Sequence, residues 1–312
     1  MTTLLYTHPS SLEHDTGPGH PEQQARAKTL YEAFSREEQQ GAFGAIERRE
    51  TPKANRAQLE LVHDSQFVEA ILNAVPSDGY VRIDADTVMS PASGEAALCQ
   101  AGAVCAAVDA IVGSEADHAF CALRPPGHHA EPDRAMGFCL FNGIAIGAMQ
   151  ALTEHGLAKV SIFDFDVHHG NGTQAAFERE PRVQYLSTHQ WPLFPGTGAR
   201  EETGVGNIVN RPMPSGTASR AWRDVVEGDI FTAIDEFAPD LVMISAGFDA
   251  HRADPLASFE LIEEDFAWVT EGLINLAKKH AKGRVVSVLE GGYDLKALTD
   301  SCLAHLGALQ MA

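Results

Sequence analysis

The chain is poor in several features that would place it in a special class of protein. Its 312 residues include only five cysteines, an odd number with no Cys-x-x-Cys pair, so the sequence predicts no disulfide framework. No uninterrupted apolar run approaches the ~20 residues that cross a membrane. The first residues lack the basic start and the apolar stretch of a signal peptide. These absences predict a cytoplasmic protein in a reducing compartment, with no membrane partner.

Positive charge is also scarce. Lysine and arginine number 23 against 43 aspartates and glutamates, which gives a formal net charge of −20. Because such an acidic surface repels phosphate, we expect no nucleic-acid partner. The hydrophobic fraction of 44% is ordinary for a folded globule. No internal repeat or linker-like stretch is evident, so the sequence predicts a single domain over residues 1–312 and leaves open whether the chain forms a homo-oligomer.

Short apolar runs predict buried strands that alternate with helices. The runs lie at residues 4–6, 119–123, 160–167, 183–186, 241–245 and 285–289. Runs that are apolar throughout are typical of parallel strands covered on both faces. Apolar spacing predicts helices over residues 95–112, 144–155, 222–237 and 261–276. This alternation predicts an α/β fold, with a predominantly parallel central sheet and helices on both faces.

A polar cluster follows four of these predicted strands. The clusters are Arg-Pro-Pro-Gly-His-His at 124–129, Asp-Phe-Asp-Val-His-His-Gly-Asn-Gly at 164–172, Gly-Phe-Asp-Ala-His-Arg-Ala-Asp-Pro-Leu at 247–256 and Glu-Gly-Gly-Tyr at 290–293. Because the carboxyl ends of parallel strands meet at one edge of a sheet, the clusters are expected to converge in one crevice. The sequence therefore predicts a functional site at that edge.

The cluster at 164–172 has the composition of a metal site. Asp164, Asp166 and His168 occupy alternate positions, which share a face in a strand. Carboxylate and imidazole suit zinc or a similar divalent ion, and iron(II) or cobalt(II) also fit this set. With Asp254 the set has two carboxylates and one imidazole beside an open position, as in catalytic zinc sites.

Two further clusters carry groups that move or stabilise charge. The adjacent imidazoles of His128 and His129 can act as general base and general acid, provided that each has a partner on its second ring nitrogen. Asp164 and Asn171 are the candidate partners. Tyr293, on a glycine-permitted turn, can donate its hydroxyl proton to a carbonyl oxygen that gains charge.

Together these four motifs resemble the zinc-dependent histone deacetylase superfamily, and most of all its class II enzymes and the bacterial deacetylase-like amidohydrolases. The resemblance begins at residues 14–22 and extends to Tyr293. It implies the arginase/deacetylase fold and a zinc-dependent hydrolase that removes acetyl or other acyl groups from N-acylated amines. The implied substrate is an acyl-lysine peptide or a small acyl amine.

The resemblance also implies a role for each matching residue. The residues implied to act on the amide are the tandem histidines His128 and His129, their partners Asp164 and Asn171, and Tyr293. The residues implied to bind zinc are Asp166, His168 and Asp254. Phe138 (with Gly137 before it) and Phe194 match the aromatic walls of the acyl-lysine tunnel. A structural K⁺ is implied near the metal-ligand strand, at Asp164, Asp166, His168 and Ser187.

Other functions on this scaffold leave different residues at key positions. Acetylpolyamine deacetylases can carry a glutamate after Asp-Pro, where this chain has Leu256, so acyl-lysine or a small apolar amide is favoured over a polyamine. Asp86 is a further candidate for holding a substrate N–H, although an ordinary solvated loop aspartate is the simpler interpretation. A binding protein without activity is expected to lack a ligand, a histidine or the tyrosine. An arginase-like dinuclear enzyme needs a carboxylate where Gly170 stands.

Overall fold

The computed structural model describes residues 2–41, 44 and 46–311. The strands are β1 (Thr3–Tyr6), β2 (Ile46–Arg49), β3 (Val81–Arg82), β4 (Val88–Met89), β5 (His118–Cys121), β6 (Val160–Asp164), β7 (Val183–Gln190), β8 (Ile208–Met213), β9 (Leu241–Ala246) and β10 (Val285–Leu289). Eight of them form one sheet in the order β2-β1-β5-β10-β9-β6-β7-β8, and all neighbours run parallel. β3 and β4 form a separate antiparallel pair.

Helices cover both faces of the sheet. They are α1 (Ser10–Glu13), α2 (Gln24–Gln40), α3 (Arg56–Leu59), α4 (Ser65–Asn73), α5 (Ser93–Val112), α6 (Gly143–Thr153), α7 (Asn171–Phe177), α8 (Ser219–Val225), α9 (Thr232–Phe237), α10 (Glu263–His280) and α11 (Leu295–Met311). A π-helical turn, Val226–Phe231, joins α8 to α9. One core contains α2 and α8 to α11, a second contains α5, α6 and α7, and a third packs α3 and α4 against α5 and α6. The predicted α/β fold is confirmed.

Alternation along the strands supplies both cores. In β9, Val242 and Ile244 point into the core of α8 to α11, whereas Leu241 and Met243 point into the core of α5 and α6. Because successive side chains leave a strand on opposite faces, a strand between two helix layers is expected to be apolar at nearly every position. This requirement explains why the central strands are the most continuous apolar runs of the sequence, with isolated buried polar residues such as Ser161 and Ser287.

The two edge strands were not predicted from these runs, and two central strands, β5 and β6, end earlier than predicted. β2 has the sequence Ile-Glu-Arg-Arg, and β8 contains an asparagine, an arginine and a proline, which edge strands tolerate. The prediction of a strand over 160–167 is wrong beyond Asp164. There the Asp164 carboxylate accepts the N–H of Asp166 (3.1 Å), and the Asp166 carboxylate accepts the N–H of His168 (2.9 Å). These local bonds turn the chain out of the sheet.

Helix α5 has the length and composition of a membrane span, although the sequence contains no uninterrupted apolar run of that length. Its 20 residues include an 18-residue window with a mean hydropathy of 1.5, of which 72% is buried inside the protein. The helix packs between the sheet and α6, and side chains such as Val104 and Val108 belong to the core on that face. A helix that is hydrophobic on most sides is expected at such a position.

A buried histidine fastens the loop that leads from the sheet into α6. The ring of His63 donates from Nδ1 to the carbonyl oxygen of Glu131 (3.0 Å) and accepts the N–H of Asn142 at Nε2 (2.9 Å). Both bonds require the neutral ring, since a protonated imidazole has no acceptor nitrogen. Burial lowers the pKa of His63 from 6.5 to about 4.

We predict that this histidine makes the fold acid-sensitive. Between the unfolded value of 6.5 and the folded value of about 4, the unfolded chain binds more protons, so stability falls as the pH falls through this window. From about pH 7 to about pH 4, wild-type protein should lose about 3 kcal/mol of unfolding free energy relative to His63→Gln, which has no titrating ring. Urea unfolding of both proteins across this range measures the difference. A gap that stays constant with pH would contradict the prediction.

Candidate active site

The four polar clusters converge as predicted, at the carboxyl ends of the four adjacent central strands β5, β10, β9 and β6. A cleft of about 260 Å³ opens there. It is lined by Asp86, His129, Gly137, Phe138, His168, Leu193, Phe194, Leu256 and Tyr293. The cleft therefore brings one of the tandem histidines, one predicted metal ligand, the tyrosine and both predicted aromatic walls to one place.

His128 has a carboxylate partner. Its Nδ1–H donates to Asp164 Oδ2 at 2.9 Å, and the hydroxyl of Tyr185 donates to the same oxygen at 3.0 Å. The backbone N–H groups of Gly127 and His128 both donate to the buried carboxylate of Glu290, at 2.7 and 3.1 Å. Burial opposes a charge on the His128 ring, but the carboxylates of Asp164, Asp166 and Glu290 outweigh it and raise its pKa well above the usual value.

His129 has an amide partner instead. Its Nδ1 lies 2.8 Å from Asn171 Oδ1, and its ring centroid is 4.0 Å from that of His128. Burial, together with the neighbouring charges of His128 and His168, lowers the pKa of His129 well below the usual value. Both predicted partners are thus in contact with their histidines. The pKa values of the two imidazoles shift in opposite directions, because carboxylates surround His128 whereas burial and neighbouring histidines act on His129.

The candidate metal centre lies beside this pair. Donor atoms of Asp166, His168 and Asp249 lie within 4.8 Å of one another, and all three side chains are buried. His168 Nδ1 is 3.2 Å from Asp166 Oδ1 and 3.0 Å from Asp249 Oδ2. The other oxygen of Asp249 accepts the N–H of Val167 at 2.9 Å.

Asp254, the third predicted ligand, is not a member of this group of three. Its two oxygens accept backbone N–H groups from the walls of the cleft, from Leu256 at 2.9 Å and from Tyr293 at 2.7 Å. The side chain is almost buried, with 8% of its surface exposed. Sequence reasoning did not single out Asp249, although it belongs to the cluster at 247–256 and follows closely on β9.

The chemistry of these donors fits a divalent cation. Asp164, Asp166, Asp249, Asp254 and Glu290 are all buried at this edge of the sheet. Burial and the charge of Asp166 raise the pKa of Asp249 to about 7, so its negative charge is unfavourable where it stands. A positive ion among these oxygens and the His168 ring removes that penalty, and carboxylate with imidazole is a donor set that such ions accept.

Aromatic side chains form the walls of the cleft. Phe138 meets the ring of Tyr293 edge to face at 5.8 Å, and Phe194, 40% exposed, lies 5.1 Å from the ring of His129. Leu256 completes the lining. An apolar corridor thus leads from the surface to the histidines, which suits a neutral, extended chain.

A strained turn aims Phe138 into the cleft. Gly137 and Phe138 both have left-handed backbone, with φ of 57° and 68°. The N–H of Gly137 donates to Asp86 Oδ1 and that of Phe138 to Thr87 Oγ1, both at 3.1 Å. Asp86 is therefore a half-buried support of this turn that also lines the cleft, and not the solvated loop aspartate of the simpler interpretation.

Arg26 is a further site residue that the motifs did not reveal. Its buried guanidinium donates to the carbonyl oxygens of Glu290 (2.5 Å) and Gly292 (2.6 Å), and it lies 5.0 Å from the centre of the Tyr293 ring. It therefore fixes the backbone that carries the tyrosine. In the sequence it follows the segment at 14–22 that takes part in the family resemblance, and it stands four residues after Glu22, with which it pairs at 2.9 Å.

The residues predicted to hold K⁺ lie around the ends of β6 and β7. Asp164 and Ser187 are partners in the register of these two strands. The hydroxyl of Ser187 is bonded to His189 Nδ1 at 2.9 Å. Asp166 and His168 follow Asp164 in the turn that leaves the sheet, so the potassium site remains a prediction.

The fold and the site together define a hydrolytic α/β enzyme, with two differently partnered histidines beside a buried acidic cluster. Residues 20–309 match the family model described as "Histone deacetylase domain", and the chain belongs to the histone deacetylase family. The resemblance of the motifs is thereby confirmed, and with it a deacetylase or amidohydrolase class of activity.

Relatives extend over nearly the whole chain. A "Probable deacetylase" of Archaeoglobus fulgidus is 36% identical over 302 residues, covering 95% of this chain and 82% of the relative. A "Histone deacetylase-like amidohydrolase" of Pseudomonas aeruginosa is 37% identical over 278 residues, covering 88% of this chain and 71% of the relative. The crystal structure of the HDA15 HD domain superposes with a TM-score of 0.92 at 32% identity, covering 99% of this chain and 88% of that one.

We predict that a methyl group at Gly137 disturbs His129 specifically. A Cβ there would lie 2.7 Å from His129 Cγ, whereas one at Gly79, which has a similar φ of 67°, meets nothing within 4 Å. Gly137→Ala and Gly79→Ala should each cost about 1 kcal/mol of stability through the left-handed backbone. Only Gly137→Ala should lower turnover of an acetylated substrate, by about tenfold or more, because it displaces the candidate catalytic group His129 and such displacement is costly. Equal turnover in the two variants would contradict this.

Proposed function

We propose that the protein is a zinc-dependent deacylase of N-acylated amines, and that acyl-lysine side chains are its preferred substrates. The observation that carries the proposal is the shared lining of one cleft, to which His129, His168 and Tyr293 contribute together with Phe138 and Phe194. In this proposal residues 1–312 act as one catalytic domain.

In this proposal Asp166, His168 and Asp254 are the zinc ligands, and Asp249 orients the ring of His168. Three protein donors leave a position open for water and substrate. When bound, the ion supplies Lewis acidity, which acidifies a water molecule and polarises a carbonyl oxygen. A second metal is not part of the proposal, because Gly170 offers no carboxylate.

The histidines divide the proton transfers between them. His129, neutral and open to the cleft, takes a proton from the attacking water. The water oxygen then bonds to the acyl carbon, and the Tyr293 hydroxyl donates a hydrogen bond to the carbonyl oxygen as its charge grows. When the carbon–nitrogen bond breaks, a protonated histidine of the pair gives its proton to the departing amine. Water is consumed, and a carboxylic acid and an amine are released.

The walls of the cleft support a neutral substrate chain. Phe138, Phe194 and Leu256 surround the corridor with apolar surface, and an acylated lysine has no charge along its aliphatic chain. Leu256 stands where a glutamate would hold a remote ammonium group. The carboxylate of Asp86, also in the lining, is the one feature of the cleft that favours an acetylpolyamine as the alternative substrate.

We predict that the purified, zinc-loaded protein releases acetate faster from an acetyl-lysine peptide than from acetylated polyamines at equal concentration. Tyr293→Phe should lower the turnover number by about 10²–10³, the usual effect of removing one donor to a developing oxyanion. The matched variant Leu256→Glu should shift the ratio of kcat/KM toward the polyamine. Acetate release is measured for each protein and substrate.

Faster cleavage of polyamines by the wild-type protein would overturn the assignment to acyl-lysine and leave the hydrolytic mechanism in place. Cleavage that is unaffected in Tyr293→Phe would overturn the role of the tyrosine. No cleavage of either substrate by zinc-loaded protein would direct the search to longer acyl chains or other small amides and refute both substrate assignments.

We predict that removing zinc with a chelator abolishes activity and that adding zinc restores it. Asp166→Asn, His168→Ala and Asp254→Asn should bind zinc far more weakly than wild-type protein, because each removes a ligand. Asp249→Asn should weaken binding by only about 10–100-fold, since a group that acts through a ligating histidine has an effect of that size. Zinc content after dialysis and competition with a chromophoric chelator measure this. If Asp254→Asn retained zinc and Asp249→Asn did not, Asp249 would be the metal ligand and Asp254 the supporting residue.

The state of the cysteines supports a reducing, cytoplasmic location in this proposal. All five cysteines are free and buried, and burial raises the pKa of Cys105 to about 12 and keeps it unreactive. The proposed partners are the acylated peptide or small acyl amine alone, with no nucleic acid and no membrane surface, in keeping with the net charge of −20.

A further inference from the structure

Glu131 contacts the partner of a catalytic histidine from behind. The amide nitrogen of Asn171 donates to Glu131 Oε1 at 2.6 Å, while the amide oxygen faces His129 Nδ1 at 2.8 Å. Glu131 lies two residues after His129 in the sequence, and its side chain is 23% exposed. Its Oε1 also pairs with the solvent-facing guanidinium of Arg134 at 3.1 Å.

The direction of these bonds is determined by the chemistry of the three groups. An ionised carboxylate accepts hydrogen bonds and cannot donate them, so only the NH₂ end of the Asn171 amide can face Glu131. The oxygen end must then face His129, and an oxygen requires a donor at Nδ1. In neutral His129 the proton therefore sits on Nδ1, and Nε2 keeps the lone pair that a general base needs.

An asparagine needs this support, whereas an aspartate does not. Asp164 can only accept, so it specifies the proton on His128 Nδ1 by itself. The two ends of the Asn171 amide differ, and a half-turn would present NH₂ to His129 and favour a proton on Nε2. Two other acceptors lie near the amide nitrogen, Met136 Sδ at 3.3 Å and the carbonyl oxygen of His129 at 3.4 Å. Both distances are longer than that to Glu131, and a thioether is a weak acceptor.

We propose that Glu131 is a positioning residue that fixes the orientation of Asn171 and, through it, the tautomer of His129. This inference rests on the proposed function in that it assigns the lone pair of Nε2 to the attack of water. It adds a third member to the His129–Asn171 pair, and this member comes from the same loop as the histidine.

The test is a double-mutant cycle in which the sign of one substitution reverses. In wild-type background Glu131→Lys replaces the acceptor with a donor and should lower kcat for an acetyl-lysine peptide by about tenfold or more, with KM little changed, because the geometry of substrate contacts is untouched. Glu131→Gln keeps an acceptor oxygen and should retain most of the activity. Arg134→Ala removes only the exposed ion pair with the same oxygen and is the matched control, with expected kcat near wild type.

In the Asn171→Asp background, Glu131→Lys should instead raise kcat. The Asn171→Asp substitution places a second carboxylate against Glu131, where like charges repel, and Glu131→Lys converts that contact to an ion pair. The double variant should therefore exceed Asn171→Asp in kcat by about tenfold. If the effects of Asn171→Asp and Glu131→Lys on kcat were additive, the proposal would be overturned. A residue that only stabilises the loop would lower kcat in both backgrounds.

A readout independent of turnover separates this inference from the proposed function. The ¹⁵N chemical shifts of the His129 ring, assigned by comparison with His129→Gln, report which nitrogen carries the proton. Wild-type protein should show protonated Nδ1 and Glu131→Lys a substantial population protonated at Nε2. Wild-type protein that cleaves no acyl amine yet shows this difference would refute the proposed function and leave the inference standing. An identical tautomer in both proteins would refute the inference.

Discussion

The burial of negative charge at one edge of the central sheet is the constraint on which the rest of the site depends. Asp164, Asp166, Asp249, Asp254 and Glu290 lie where water cannot solvate them, and an isolated buried carboxylate is costly. The five are compensated by three means: the His128 ring for Asp164, backbone N–H groups for Glu290 and Asp254, and the His168 ring for Asp166 and Asp249. The compensation is incomplete, as the raised pKa of Asp249 shows, and the remaining unfavourable charge is what makes the site suitable for a divalent ion.

A second layer of buried charge connects the loops that carry the proposed catalytic groups. The carboxylate of Glu22 pairs with the guanidinium groups of Arg26 (2.9 Å) and Arg124 (2.6 Å). Arg124 begins the loop of the tandem histidines, and Arg26 binds the backbone before Tyr293. Removing one member of such a buried set leaves an uncompensated charge, at a cost of about 3–5 kcal/mol. The network around Glu22 therefore supports the placement of Tyr293 relative to the tandem histidines, and of its three members only Arg124 belongs to one of the four polar clusters.

Much of the fold and of the site could be predicted because short, continuous stretches of sequence determine the buried strands and the polar turns that follow them. A strand covered on two faces is expected to be apolar at nearly every position, and the turns that follow such strands meet at one edge, so the six runs and four clusters suffice to locate the cleft. What escaped prediction depends on contacts between distant segments. β2 is an edge strand with charged side chains, and no local pattern marks it. Asp249 lies 81 residues from His168, Arg26 is 266 residues from Gly292, and Glu131 is 40 residues from Asn171. Only the sheet order brings these pairs together.

The sheet order also explains how two adjacent histidines acquire unlike partners. Asp164 is the last residue of β6 and Asn171 is the first residue of α7, and the turn between them carries Asp166 and His168. The histidines follow β5, and β10 and β9 separate β5 from β6 in the sheet. The loops of these two middle strands bridge the gap: the Glu290 carboxylate holds the backbone of His128, the N–H of Gly291 donates to Asp166 at 2.8 Å, and Asp249 holds the His168 ring. The middle loops thus support the outer ones and also carry Tyr293 and Asp254, so a substitution at the end of β9 or β10 should disturb His128 and the candidate metal centre together.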